Sequence, residues 1–198
     1  MHRALSFQEA ALDVGWAIRR PEQLVERCQH LAGHLANIRI VLLLINAGFG
    51  TAIYGMTMHI HHGTLGMLRG AVLMPLAAGT AWLIALPTLY IYNRALDSRL
   101  SLQATILAAS VTVCFGAWAM LASVSITWFF SLALPYIFVR LLINLIVFTG
   151  VGICMIDVFL RVLQVLEPGR SPIYGAAWIG LVAVIGMELF SIFGVFDL

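Results

Sequence analysis

The chain has 198 residues, of which 62% are hydrophobic and 10% charged. Water-soluble domains carry about a quarter charged residues, so the composition excludes a surface kept in water and sets the class as an all-α integral membrane protein. The formal net charge of +2, with eleven arginines and no lysine, gives no basis for nucleic-acid binding.

In chain order, residues 1–37 are mixed polar, which does not fit a signal peptide. "SFQE", Ser6 to Glu9, has capping-box spacing and predicts a short helix. Pro21 suits the first position of a second helix, where its missing N–H is not needed. In that helix Leu24, Cys28, Leu31 and Leu35 recur on one face, opposed by Glu22, Glu26, Arg27 and His34. With Trp16 and Phe7 nearby, the region reads as an amphipathic collar in the cytoplasmic headgroup layer. Docking of the same face on a partner subunit is an equal reading. His30 and His34 share an i, i+4 spacing but have no third metal ligand nearby. The expected organisation is a cytoplasmic amphipathic helical segment, 1–38, followed by a five-helix transmembrane domain, 39–198.

A bilayer core of about 30 Å needs roughly 20 apolar residues as a helix. Five runs qualify: about Ile40 to Met58, Ala71 to Tyr92, Gln103 to Ser123, Tyr136 to Phe159 and Gly175 to Val195. Arg3, Arg19, Arg20, Arg27, Arg39, Arg94, Arg99, Arg161 and Arg170 fall on one side, against Arg69 and Arg140 on the other. This bias puts the N-terminus in the cytoplasm and the C-terminus outside. In a bacterial inner membrane the connections Met58 to Arg69 and Ser125 to Pro135 would then face the periplasm. Cys28, Cys114 and Cys154 are isolated and read as small buried hydrophobes.

Charges within spans are costly and usually paired or functional. Arg140 and Glu188 both fall in the outer half of the bilayer, so the expectation is that they pair or that both engage a neighbouring subunit. Asn144, one turn from Arg140, is placed to hydrogen-bond across helices. Asp157 and Arg161 form an i, i+4 pair. Pro75 and Pro87 remove helix hydrogen bonds and predict a kink. Paired glycines such as Gly48 and Gly50, Gly150 and Gly152, and Gly180 and Gly186 would let helices approach closely, although none of the five predicted spans contains GxxxG. Trp128, Phe129, Phe130, Tyr136, Phe193 and Phe196 form an interfacial belt.

"MTMHIHHGTLGM", Met56 to Met67, concentrates histidine and methionine just past the first span. Imidazole with thioether suits copper better than zinc, so His59, His61, His62, Met56 and Met58 are candidate metal ligands. Ligation of a haem or chlorophyll in a larger assembly is a second possibility. Against both, no carboxylate lies in the stretch to orient a ligating histidine. The first expectation is therefore a polar turn without a cofactor.

"LPTLYIYNRALDSRLSLQATI", Leu86 to Ile106, resembles a motif of the Yip-type family of five-span membrane proteins, nearest to a bacterial branch of unassigned function. "AIYGM", Ala52 to Met56, and "PYIFVRLLINLIVFTGVG", Pro135 to Gly152, are similar to further segments of that branch. Pro87, Tyr90, Asn93, Arg99 and Ser101 carry the likeness, with Leu100; Asp97 stands where the branch has glycine. The resemblance implies five helices and a cytoplasmic N-terminus, and no catalytic motif. Eukaryotic members act in vesicle traffic through partner proteins.

The functional expectation is a non-catalytic scaffold or accessory subunit whose partners are the lipid bilayer and other membrane proteins. The alternatives are a transport component for a small solute, protons or a metal, using Arg140, Glu188 and the His/Met stretch, and an accessory subunit of a redox or light-harvesting complex that ligates haem or chlorophyll through histidine. No nucleophile–base pair or carboxylate dyad marks an enzyme.

Overall fold

A backbone that cannot hydrogen-bond to lipid must satisfy itself within each segment, and the apolar runs do so as helices. The computed structural model of the chain describes residues 7–29, 33–95, 98, 100–134, 136–169 and 171–195. Two short helices, α1 (Phe7–Arg19) and α2 (Pro21–Gln29), precede α3 (Gly33–Met58). A 3-10 turn, Ile60–His62, joins α3 to α4 (Gly63–Ala95). Then come α5 (Leu102–Ala122), α6 (Val124–Ala133), α7 (Ile137–Leu166) and α8 (Pro172–Ile192). Five of them, α3, α4, α5, α7 and α8, are long and apolar enough to cross a membrane. The described residues include no strand. The protein is an all-α integral membrane protein, as its composition requires.

Two expected connections are helix instead. The second span begins at Gly63 rather than near Ala71, so the histidine stretch shrinks to a turn over residues 59–62. Gly63 makes this possible: it has φ 67° and its N–H closes the 3-10 turn onto the Ile60 carbonyl. The early start also brings Gly66 and Gly70, a GxxxG pair, inside the helix. The stretch from Ser125 to Pro135, expected as a loop, is mostly α6. Its Thr127 and Ser131, four residues apart, turn inward and are buried, while Trp128, Phe129 and Leu132 stay exposed. Pro135 lies outside the described residues.

The central helix is α3, which packs along both α4 and α5, while those two touch each other little. Close approach depends on glycine. A Cβ on Gly55 would strike the Gly70 carbonyl, and one on Gly70 would strike the Gly55 carbonyl. A Cβ on Gly50 would sit 2.9 Å from the Ala117 carbonyl oxygen of α5. Gly48, Gly150, Gly152 and Gly180 have open space around them, so of the three glycine pairs noted in the sequence only Gly50 and Gly186 meet a neighbour. Pro75 and Pro87 both lie within the unbroken α4. The Trp178 indole of α8 donates to the Ala85 carbonyl of α4 at 3.1 Å and meets Trp82 edge-on.

The N-terminal collar packs on its own bundle. Leu24, Val25 and Cys28 are buried in one cluster with Val158, Phe159 and Val162 of α7. Trp16 packs at the edge of that cluster, with the Arg27 guanidinium 4.4 Å from its ring centre. Neither the headgroup layer nor a partner subunit therefore covers the Leu24 face. Leu31 and His30 lie outside the described residues, and Leu35 and His34 belong to α3. Arg161 of α7 pairs with Glu22 of α2 at 2.6 Å and with Asp157 at 2.9 Å. Cys28 and Cys114 are buried, but Cys154 is exposed on α7, contrary to expectation.

Candidate functional site

Two features stand out as able to bind something: a polar cluster at the histidine-turn end of the bundle and an apolar groove on its side.

The polar cluster is built from three helices around Tyr54. This side chain is fully buried, and its hydroxyl donates to Asn144 Oδ1 of α7 at 2.8 Å. Thr127 of α6 donates to the same hydroxyl at 3.3 Å. Asn144 is 1% exposed and donates its Nδ2 to the Arg140 carbonyl at 2.8 Å. Buried polar atoms need partners, and these hydroxyl and amide groups satisfy one another without solvent. The Tyr54 ring is held edge-on by Phe148, which rests in turn on Phe190 of α8. Asn144 therefore does what its position predicts and bridges helices.

Arg140 lies one turn beyond Asn144, near the start of α7, and is half-buried. Its Nε and Nη1 are shielded and have no hydrogen-bond partner. It makes no ion pair with Glu188, against expectation. Glu188 is exposed on α8, and it is Phe190 that packs on α7. Two residues along a helix turn about 200°, so α8 cannot present both side chains to α7. His61 is exposed on the turn that packs against α6.

The other candidate ligands scatter. His59 is 3% exposed and its Nδ1 lies 3.1 Å from the Gly55 carbonyl, acting as a cap for the end of α3. Its Nε2 is buried without a partner. His62 is exposed and its ring centre is 6.3 Å from that of His59. Met58 is buried in the cluster around Tyr54, and Met56 is half-buried. No three His, Cys, Asp or Glu side chains among the described residues are placed to share a metal. The 3-10 turn is the reason: it sends His59 back onto α3 and His61 sideways onto α6.

The family-like motif lies at the opposite end. Pro87 is exposed on α4, and Tyr90 takes a hydrogen bond from Arg94 Nε at 3.3 Å. Asn93 is buried, and its carbonyl accepts the Ser98 N–H at 3.0 Å. Ser101 caps α5, accepting the Ala104 N–H at 3.1 Å. Arg99 lies outside the described residues. Asn93 and Ser101 thus support the turn between α4 and α5.

The groove lies where α4 and α5 diverge over α3. It holds about 290 Å³ and is lined almost wholly by apolar atoms. Its lining includes Ala47, Gly48 and Thr51 of α3, Ala78 and Gly79 of α4, and Ala109 and Ser110 of α5. The hydroxyls of Thr51 and Ser110 bond their own helix carbonyls, at Ala47 and Ile106. Trp82, Leu83 and Leu86 close one wall.

Comparison with known protein families, with curated proteins and with solved structures finds no match to this chain.

Sequence reading missed Tyr54, Thr127, Ser131 and the groove. The i, i+4 spacing of Thr127 and Ser131 was a usable signal for a helix with a polar inner face.

Proposed function

We propose that the chain is a non-catalytic integral membrane protein, a scaffold or accessory subunit that seats a partner's transmembrane helix in the α3–α4–α5 groove. The groove carries this reading. Elsewhere the lateral surface shows large aliphatic and aromatic side chains, such as Leu68, Ile91, Phe138, Ile146 and Val184, as lipid contact demands. In the groove seven of the fourteen lining residues are small, and three helices contribute them. Helices associate in lipid by close backbone approach over such residues. Gly48 and Gly79 have nothing within reach of an added Cβ, so the space is vacant rather than filled by the chain's own side chains.

The arginine distribution supports a bacterial inner-membrane orientation with the N-terminus in the cytoplasm. The resemblance to the Yip-type family, carried by residues 86–106, favours a partner-binding role over an activity. Purification from native membranes in a mild detergent, with mass spectrometry, tests the reading. A stoichiometric membrane partner is expected, and Gly79→Phe is expected to remove it without loss of helicity. Recovery of a monodisperse monomer alone would count against the proposal.

A further inference from the structure

We propose that a cavity between α1 and α5 binds one anionic phospholipid, independently of the lateral groove. The cavity holds about 750 Å³, within the size range of sites that take a small molecule. Leu12, Gly15, Trp16 and Arg19 line it at helical spacing from one face of α1, and Arg20 follows at the helix end. Trp118 of α5 supplies the other wall. Leu12 and Arg19 are two turns apart, about 10 Å along the axis. The cavity is therefore apolar at one end and cationic at the other.

Three observations select the occupant. Trp118 is 37% exposed and stands past the middle of α5, one of the helices long and apolar enough to cross a membrane. That wall thus borders lipid chains rather than water. Arg19 and Arg20 are exposed and form no ion pair among the described residues, and no described carboxylate lines the cavity. The Arg20 guanidinium lies 6.0 Å from the Trp16 ring centre, over a residue of the cavity itself. A Cβ on Gly15 would meet nothing, so the space reaches the α1 backbone and is not filled by the chain.

A cation beside lipid must reach the interface or meet an anion. Basic pockets beside membrane helices take acidic headgroups in this way. A phospholipid with a net negative charge has both halves of the required chemistry. Its phosphate accepts charge-assisted hydrogen bonds from the arginines, and its chains cover Leu12, Trp16 and Trp118. A soluble anion would leave the apolar walls bare, and a lipid without net charge would leave the arginines unmatched.

The test uses the full chain, delipidated in a non-ionic detergent and titrated under native mass spectrometry. Three probes are compared: phosphatidylglycerol, phosphatidylcholine with the same tails, and glycerol 3-phosphate. One phosphatidylglycerol per chain should be retained, with phosphatidylcholine about tenfold weaker and glycerol 3-phosphate not retained. Arg19→Gln and Arg20→Gln should each weaken phosphatidylglycerol by about fivefold, the equivalent of about 1 kcal/mol per arginine. Gly15→Leu keeps both charges and fills the vacant space, and should weaken it by about tenfold. Leucine also favours a helix more than glycine does, so this variant keeps the test valid if the arginine variants fold poorly. Arg94→Gln, outside the cavity, should change nothing. Equal binding of the two lipids would overturn the proposal, as would retention of glycerol 3-phosphate as tight as that of phosphatidylglycerol. Unchanged affinity in the cavity variants, or an equal loss in Arg94→Gln, would overturn it too.

Discussion

The two ends of the bundle handle their charges in opposite ways. At the α2 end, Arg161 is met by Glu22 and Asp157, Arg27 and Arg94 lie against the rings of Trp16 and Tyr90, and Ser98 donates to Glu167 at 2.7 Å. At the histidine-turn end the inner polar groups, Tyr54, Thr127 and Asn144, satisfy one another, yet Arg140 just beyond them has no carboxylate. At the α2 end carboxylates and aromatic rings of the chain meet the arginines, whereas Arg140 has no carboxylate or ring beside it among the described residues. In a membrane protein unmet polar groups are expensive, so the first arrangement contributes to holding the fold and the second does not.

The strongest way to break this arrangement is at the helix crossing that supports the histidine-turn end. Gly55→Leu should cost on the order of 3 kcal/mol or more, because its side chain must displace the α4 backbone at Gly70. Gly150→Leu, with open space around it, should leave the denaturation midpoint nearly unchanged. Chemical denaturation in detergent, followed by circular dichroism, compares the two, and equal effects would refute the crossing. Next comes Tyr54→Phe, which strips Asn144 Oδ1 of its donor and should cost about 1–3 kcal/mol. The loss should shrink when Asn144 is already leucine, which a double-mutant cycle on the same denaturation signal would reveal. Ser101→Ala removes the α5 cap and should cost about 1 kcal/mol. A cost near zero would mean that the α4–α5 turn is held by other contacts. The smallest effect belongs to Glu22→Gln at the α2 end, about 0.5 kcal/mol or less, since both partners are partly exposed. High salt should erase the difference from wild type, and salt-independent destabilisation would show that Glu22 acts through packing instead.

What the sequence disclosed followed from rules that act on one helix at a time. The five spans obey the length of the bilayer, Asn144 was visible as a lone amide in an apolar run, and Asp157 with Arg161 was visible from spacing. What it concealed depends on how helices turn toward one another. Glu188 and Arg140 lie at compatible depths, but the rotation of α8 is set by Trp178 on α4 and Phe190 on α7, which points Glu188 away. The Leu24 face is apolar whether it meets lipid, a partner or α7, and only the α2–α7 contact distinguishes these. The histidine stretch reads as a polar turn in the sequence, but the directions of its side chains depend on how tightly that turn closes at Gly63, whose φ is 67°.

That turn also limits how the first two spans can sit in a bilayer. Residues 59–62 span at most about 14 Å when fully extended, and the glycine crossing holds α3 and α4 together just beneath them. The joined ends of the two helices therefore stay side by side at one membrane face, and Gly55 and Gly70 make the pair a tightly packed hairpin rather than two separate spans.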